Sequence, residues 1–182
     1  MRNKLIILFL FFSIVDASAS IKEKIVQNLK TTENLTFNFE QNVNGKTENG
    51  YCALSYPKKI FCRYNLKNNK ILVSNGRSIV IKTTSSYYLY PLERTPLNLI
   101  LNKNFLVNKI KSLNERILDK KYVNFQFSEA DFQINIFFDY NTLNLIGWQT
   151  TDIYQNLSIT FLASIKKNQK LDNSLFNLPK QN

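Results

Sequence analysis

The stretch from Gly50 to Lys82, GYCALSYPKKIFCRYNLKNNKILVSNGRSIVIK, predicts the core of the fold as two successive hairpins. Tyr56-Pro57-Lys58-Lys59 separates one pair of short apolar runs, and Asn75-Gly76 separates the next pair. Asn-Gly is a strong hairpin signal because a type I′ turn needs a positive φ at both central positions. The stretch therefore predicts antiparallel strands joined by tight turns.

Both cysteines of the chain, Cys52 and Cys62, lie in the first of these hairpins. Such a pair can hold a metal, act in redox chemistry, supply a catalytic thiol with its partner, or form a structural disulfide. The chain has no histidine, and two thiolates alone do not complete a zinc site. The spacing is also not that of a C-x-x-C redox motif. The choice then depends on the compartment in which the protein works.

The N-terminus, MRNKLIILFLFFSIVDASAS, is typical of a signal peptide. Arg2 and Lys4 precede an apolar run from Leu5 to Val15, and Ala17-Ser18-Ala19 offers the small residues that signal peptidase accepts. The alternative is a membrane anchor, but a spanning helix needs about 17–25 apolar residues. We expect a cleaved signal peptide over residues 1–19, export of the protein, and a single domain over residues 20–182.

An oxidising compartment favours the disulfide, because paired cysteines in small exported proteins are usually bonded. A hairpin centred near Pro57 places Cys52 opposite Cys62. Cross-strand neighbours lie about 4.5–5.5 Å apart, which a disulfide can bridge. The sequence predicts that this bond fixes the hairpin.

The composition points to an aromatic-rich β protein and gives little support to a nucleic-acid partner. The formal net charge is +11, yet the lysines are scattered and the longest basic runs are pairs. Abundant lysine and asparagine are typical of an AT-rich genome, so we expect no nucleic-acid binding. The 14 phenylalanines and 9 tyrosines, against 4 glycines, either pack a β core or line a pocket.

The hydrophobic period changes along the chain from helical to strand-like. Ile21, Ile25 and Leu29 recur at the spacing of an amphipathic helix. Alternating apolar positions then predict strands at LTFNFEQ (35–41), VNFQFS (123–128), FQINIFF (132–138) and LSITFLA (157–163), the last with Leu157, Ile159, Phe161 and Ala163 on its apolar face. Thr95-Pro96 begins a short apolar helix between strands, which is either a lid or an ordinary crossover.

These elements predict a mainly β fold with some helix, in which an antiparallel sheet curls into an incomplete barrel. Two narrow helices leave part of the apolar face uncovered, which permits a hydrophobic cavity. The same alternation also fits a barrel filled by its own side chains.

Catalytic signals are scarce, so we expect no enzyme, no cofactor and no bound metal. Without histidine the chain cannot build a Ser-His-Asp or Cys-His arrangement. Four glycines offer no phosphate-binding loop. A glycosidase that uses two carboxylates remains an alternative, although no motif indicates one.

The order of these motifs resembles the LolA family of periplasmic lipoprotein carriers. The resemblance rests on Phe39-Glu40-Gln41 ending the first strand, on the strand from Pro57 to Tyr64, and on the hairpin from Leu72 to Arg77. It implies a half-barrel, an N-terminal helix and a short helical lid over a hydrophobic cavity. It also implies that the protein works in the periplasm, where it takes acylated lipoproteins from an inner-membrane ABC transporter and delivers them to an outer-membrane receptor. Apart from the resemblance, we expect a monomer.

The resemblance assigns roles to particular residues, and ordinary core packing is the alternative at each wall position. The expected cavity wall consists of Phe37, Phe39, Leu54, Ile60, Tyr64, Leu72, Ile79, Ile134, Ile136 and Trp148. The expected lid consists of Pro96, Leu97, Ile100, Leu101, Phe105 and Leu106. Tyr56 stands where the family often has an arginine that bonds to the lid, and Cys62 where it often has tryptophan.

A second class of function is compatible with the same half-barrel. Periplasmic regulators that sense mislocalised lipids share it, as do other lipid-binding proteins. Such regulators usually carry a second domain, so the carrier is the first expectation and the lipid sensor is the alternative.

Overall fold

The computed structural model describes residues 19–152 and 154–181 and consists of one antiparallel sheet with three α-helices on one face. Of the predicted signal peptide, only Ala19 lies inside the described residues. The helices are α1 (Ile21–Thr31), α2 (Leu97–Ile100) and α3 (Lys103–Ser112), and short 3-10 helices span Leu92–Arg94 and Asn173–Phe176. The strands are β1 (Asn34–Val43), β2 (Lys46–Ser55), β3 (Lys59–Tyr64), β4 (Ile71–Asn75), β5 (Ser78–Lys82), β6 (Tyr87–Pro91), β7 (Arg116–Leu118), β8 (Tyr122–Glu129), β9 (Phe132–Asp139), β10 (Leu145–Thr151) and β11 (Leu157–Lys167).

The eleven strands follow the order β6-β5-β4-β3-β2-β1-β11-β10-β9-β8-β7, and the sheet is curved but not closed. Consecutive strands pair with each other, except that β6 and β7 lie at opposite edges of the sheet and β1 pairs with β11. Register shifts between Thr36 and Asn38 and between Leu145 and Gly147 interrupt the ladders. Such bulges bend a strand and increase its twist, which helps the sheet curl. The predicted half-barrel is confirmed.

Helix α1 forms where the sequence predicts it and packs on the sheet. Its N-terminus carries a capping box, in which the Glu23 amide donates to the Ser20 hydroxyl at 3.2 Å and the Ser20 amide donates to the Glu23 carboxylate at 2.7 Å. Ile25, Val26 and Leu29 are buried against the strands. We call the face of the sheet that the helices cover the inner face. Among the described residues, no helix is long and apolar enough to span a membrane.

Both predicted hairpins are present. Cys52 and Cys62 are directly paired between β2 and β3, with their Cα atoms 4.1 Å apart, and they form the predicted disulfide. Gly76 follows β4 with a φ of +96°, whereas Asn75 keeps a negative φ. The Asn75 side chain instead accepts hydrogen bonds from the amides of Arg77 and Ser78, both at 3.0 Å. The turn therefore differs from the expected I′ type but joins the same strands.

Two local expectations need correction. In β11 the predicted apolar face is the outer one, since Phe161 is 58% exposed and Leu162 is buried. The pairing of β11 with β1 explains this, because Leu162 lies opposite the inward-facing Phe39. The segment after α2, expected only as part of a lid, is a full helix, α3, which buries Leu106, Val107 and Ile110.

The outer face carries a smaller apolar cover. The 3-10 helix Asn173–Phe176 contacts β3 and β4, and Phe176 is buried there. The Lys59 ammonium lies 6.0 Å from the centre of the Phe176 ring. The chain beyond this helix continues toward β5, where the Lys82 ammonium donates to the Lys180 carbonyl at 2.8 Å. The C-terminal segment therefore packs across one end of the sheet.

Candidate ligand-binding crevice

A cavity of about 350 Å³ opens on the inner face between the β4–β5–β6 end of the sheet, helix α2 and strands β10 and β11. We call it the crevice. Its lining is mainly apolar, with a few hydroxyl and amide groups. The lining residues are Gln41, Leu72, Ile79, Ile81, Tyr90, Thr95, Pro96, Leu97, Ile100, Trp148, Thr150 and Ser158. Helix α1 and helix α3 cover the other part of the inner face, so the crevice occupies the part that they leave open.

A second, much smaller void of about 30 Å³ lies deeper against β1, β2 and β3. Gln41, Leu72, Leu97 and Trp148 border both spaces. The remaining lining residues of this inner void are Phe37, Phe39, Cys52, Ile60, Cys62, Tyr64 and Thr160. The disulfide therefore forms part of the wall.

The structure separates the expected wall residues into three groups. Leu72, Ile79 and Trp148 line the crevice, and Phe37, Phe39, Ile60 and Tyr64 line the inner void. Leu54, Ile134 and Ile136 line neither space, since all three are fully buried in the main core. These three belong to the part of the inner face that is packed with its own side chains. A role for any wall residue in binding stays a prediction.

The expected lid residues divide in the same way. Pro96, Leu97 and Ile100 border the crevice. Leu101 and Leu106 are fully buried in the core, and the Phe105 ring packs edge-on against Phe127 at 5.9 Å. The end of helix α2 is attached to the first hairpin through the backbone, since the Lys58 amide donates to the Leu101 carbonyl at 2.8 Å. The movable part, if α2 acts as a lid, is the short helix rather than α3.

Tyr56 lies beside this attachment but makes no bond to the lid through its side chain. Its hydroxyl is buried and has no hydrogen-bond partner among the described residues. Burial raises the pKa of Tyr56. The Lys103 ammonium lies 5.7 Å from the ring centre and itself donates to the carbonyls of Lys30 and Thr32. In this conformation, Tyr56 can hold the predicted lid only through packing contacts, because its side chain makes no hydrogen bond.

Gln41 connects the polar groups of the cavity wall, and the sequence reasoning did not assign it a role. Its side-chain oxygen accepts a hydrogen bond from the Tyr64 hydroxyl at 3.2 Å, and its nitrogen donates to the Thr160 hydroxyl at 3.2 Å. The signal was present, because Gln41 continues the inward phase of Phe37 and Phe39. Tyr90, Thr95, Thr150 and Ser158 were also missed, and only the folded arrangement brings them together.

A buried ion pair lies behind Tyr64. Glu48 is almost fully buried and forms a salt bridge with Lys70, and the Lys70 ammonium lies 4.2 Å from the centre of the Tyr64 ring. Burial, followed by the negative charge of Glu48, raises the pKa of Tyr64. The hydroxyl therefore stays protonated and acts as a donor toward Gln41. Among the described residues, no group of three His, Cys, Asp or Glu side chains is placed to hold a metal ion.

The sequence matches the family described as outer membrane lipoprotein carrier protein LolA over residues 30–179. This match covers most of the chain. The protein belongs to the LolA family. No curated protein matches the sequence.

The solved structures to which this LolA-family chain is similar share little sequence with it. An uncharacterized conserved protein from Thermus thermophilus is 7% identical, with a TM-score of 0.51, and the alignment covers 87% of this chain and 93% of that one. A LolA superfamily protein from Nitrosomonas europaea is 8% identical, with a TM-score of 0.46 and coverage of 88% and 99%. Lipoprotein LppX from Mycobacterium tuberculosis is 8% identical, with a TM-score of 0.44 and coverage of 83% and 96%.

Proposed function

We propose that this protein is a carrier that binds lipid acyl chains in the crevice. The observation that carries the proposal is an open cavity of about 350 Å³ with a mainly apolar lining, bordered by a four-residue helix. A concave apolar site with a few placed polar groups is the usual form of a small-molecule site. The carrier description of the family supports the same reading.

The physical demand on such a carrier is to hold its cargo firmly and still release it. Burial of an acyl chain contributes about 0.8 kcal/mol for each CH₂ group. Helix α2 supplies apolar contacts through Leu97 and Ile100, yet it has only four residues. Opening this helix would expose bound acyl chains and would also uncover Ile100, which is buried in the main core, while α1 and α3 stay in place.

We further propose that the cargo consists of acylated lipoproteins in the periplasm. In this scheme residues 1–19 direct export and are removed, and residues 20–182 act as one monomeric domain. The protein would receive lipoproteins from an inner-membrane ABC transporter and pass them to an outer-membrane receptor by transfer, without a chemical reaction. The signal-peptide pattern of the sequence and the family description support this scheme.

Native mass spectrometry of the mature protein, incubated with a triacylated lipopeptide, tests the proposal. We expect a one-to-one complex that survives transfer to the gas phase. A protein that binds free phospholipid but not the lipopeptide would favour the lipid-sensing alternative. A protein that stays unliganded with both would contradict a lipid-binding function.

A matched pair of leucine substitutions localises the binding. Leu97→Asp places a charge in the wall of the crevice, and we expect at least roughly tenfold weaker binding because burial of a leucine-sized contact contributes about 1.5–3 kcal/mol. Leu89→Asp is the control, since Leu89 is 55% exposed on strand β6 and does not line the crevice. Equal affinities for the two variants, with both folded by circular dichroism, would place the ligand elsewhere.

A further inference from the structure

A positively charged groove runs along the junction of α1 and α3, on the solvent side of the helical layer. Two adjoining hollows of about 470 Å³ and about 400 Å³ form it, and Lys30 and Lys111 border both. We call it the lysine groove. The other lining residues are Lys22, Glu23, Val26, Gln27, Lys103, Asn104, Val107 and Asn108. It is separate from the crevice, with which it shares no lining residue.

The charges in the lysine groove are only partly balanced. Four lysines face one glutamate, Glu23, whose carboxylate accepts from the amide of Ser20. The Lys22 ammonium lies 3.6 Å from the Glu115 carboxylate, and the Lys103 ammonium donates to two backbone carbonyls. Lys30 and Lys111 are exposed and form no ion pair within residues 19–152 and 154–181. As far as the structure describes the chain, two ammonium groups without an ion-pair partner therefore lie at the centre of the groove.

The shape and composition of the groove favour an extended acidic peptide over a bilayer. A flat membrane surface cannot follow a hollow between two helices, whereas a peptide chain can. Membrane-binding surfaces combine positive charge with exposed aromatic or large aliphatic residues. In the described part of the chain the exposed large apolar side chains lie on strands and loops, and none belongs to α1 or α3. Asn104, Asn108 and Gln27 offer amide groups that can bond to a peptide backbone.

We propose that the lysine groove is a docking site for an acidic segment of a partner protein. The inference does not depend on what the crevice binds. Helix α2 leads directly into α3 at Asn102, so a partner held in the groove would lie next to the lid. Charge complementarity of this kind speeds encounter and selects the partner more than it adds affinity.

Lys30 and Lys111 also lie in the last turns of their helices, where positive charge stabilises the helix dipole. A purely structural role would change thermal stability but not peptide binding. The test must therefore measure both.

The experiment compares two double variants that lose the same charge. Fluorescence anisotropy follows a labelled decaglutamate peptide with the wild type, with Lys30→Gln/Lys111→Gln, and with Lys67→Gln/Lys170→Gln as the control. Lys67 and Lys170 are exposed and lie outside the groove. Melting temperatures of all three proteins report the structural contribution.

We expect the groove variant to bind the peptide roughly tenfold more weakly at low salt, because it loses two exposed charge pairs that are each individually weak. The control variant should change by less than about twofold. Equal losses in both variants would overturn the proposal, because the peptide would then respond only to net charge. Sedimentation with phosphatidylglycerol vesicles that falls with the groove variant, while peptide binding does not, would overturn it in favour of a membrane surface.

Discussion

Two tyrosines of the inner face, Tyr56 and Tyr64, carry buried hydroxyls in opposite situations. The Tyr64 hydroxyl donates to Gln41, whereas the Tyr56 hydroxyl has no partner among the described residues. A buried hydrogen bond contributes about 0.5–1.5 kcal/mol net, and an unpaired buried polar group costs about 1–3 kcal/mol. Tyr64→Phe should therefore lower the free energy of unfolding by about 1 kcal/mol, and Tyr56→Phe should raise it by a similar amount. Urea unfolding of both variants measures this, and a destabilised Tyr56→Phe would show that the Tyr56 hydroxyl does have a hydrogen-bond partner in solution.

The same two tyrosines predict a loss of stability in alkali. Burial raises the pKa of both above the ordinary value of 10.0, and Glu48 adds to the effect at Tyr64. Above that pH the unfolded chain releases phenol protons that the folded chain retains. The contribution of these two tyrosines to the free energy of unfolding should therefore be constant below about pH 10 and fall as the pH rises further. Urea unfolding near pH 8 and near pH 11 gives the difference in free energy of unfolding between the wild type and Tyr56→Phe/Tyr64→Phe. This difference separates the effect of the two tyrosines from that of the lysines. A constant difference would contradict the prediction.

Gly50 allows two aromatic rings in the wall of the inner void to meet. A Cβ at this position would meet the Arg63 carbonyl and lie 2.9 Å from the Phe39 ring. Only glycine lets Phe39 and Tyr64 meet edge-on at 4.9 Å.

Alternation identified Phe39 as inward-facing, but it could not tell that Leu54 is buried in the main core rather than open to the crevice. The helices that decide this are distant in sequence.

At the scale of elements, the β2–β3 hairpin carries the disulfide and also holds the end of helix α2 through a backbone hydrogen bond. The disulfide joins Cys52 and Cys62, which are directly opposite each other in the hairpin and separated by 10 positions in sequence. Closing a loop of this length should contribute up to about 3 kcal/mol by reducing the entropy of the unfolded chain. Cys52→Ser/Cys62→Ser should therefore lower the melting temperature without abolishing lipopeptide binding. An unchanged melting temperature, with the wild-type bond verified by mass spectrometry, would contradict this role.

The elements that the sequence predicted well are those with a strong local signal. Helix α1 has an amphipathic period and a capping box, and the hairpins have their turn residues. The inner face of strand β11 was predicted wrongly because both of its faces contain apolar residues. The pairing of β11 with β1 determines which face points inward. Helix α3 was missed because its apolar positions, Leu106, Val107 and Ile110, follow closely on α2 without a proline or glycine between them.

At the scale of the whole molecule, the pairing of β1 with β11 joins the two ends of the chain. Its consequence is that the crevice draws its wall from segments far apart in sequence, including Leu72 in β4, Ile79 in β5 and Trp148 in β10. No part of the chain alone can form this wall. A ligand in the crevice should therefore bind the folded protein and have no comparable site in the unfolded chain.

This dependence predicts a thermal shift. At a free ligand concentration of 100 Kd, exclusive binding to the folded state adds about 2.7 kcal/mol. For a domain of this size, the melting temperature should rise by roughly 5–10 °C. Differential scanning fluorimetry with a triacylated lipopeptide measures the shift, and Leu97→Asp should reduce it while Leu89→Asp should not. A ligand that binds by mass spectrometry but leaves the melting temperature unchanged would have comparable affinity for the unfolded chain, and the crevice could not then be its site.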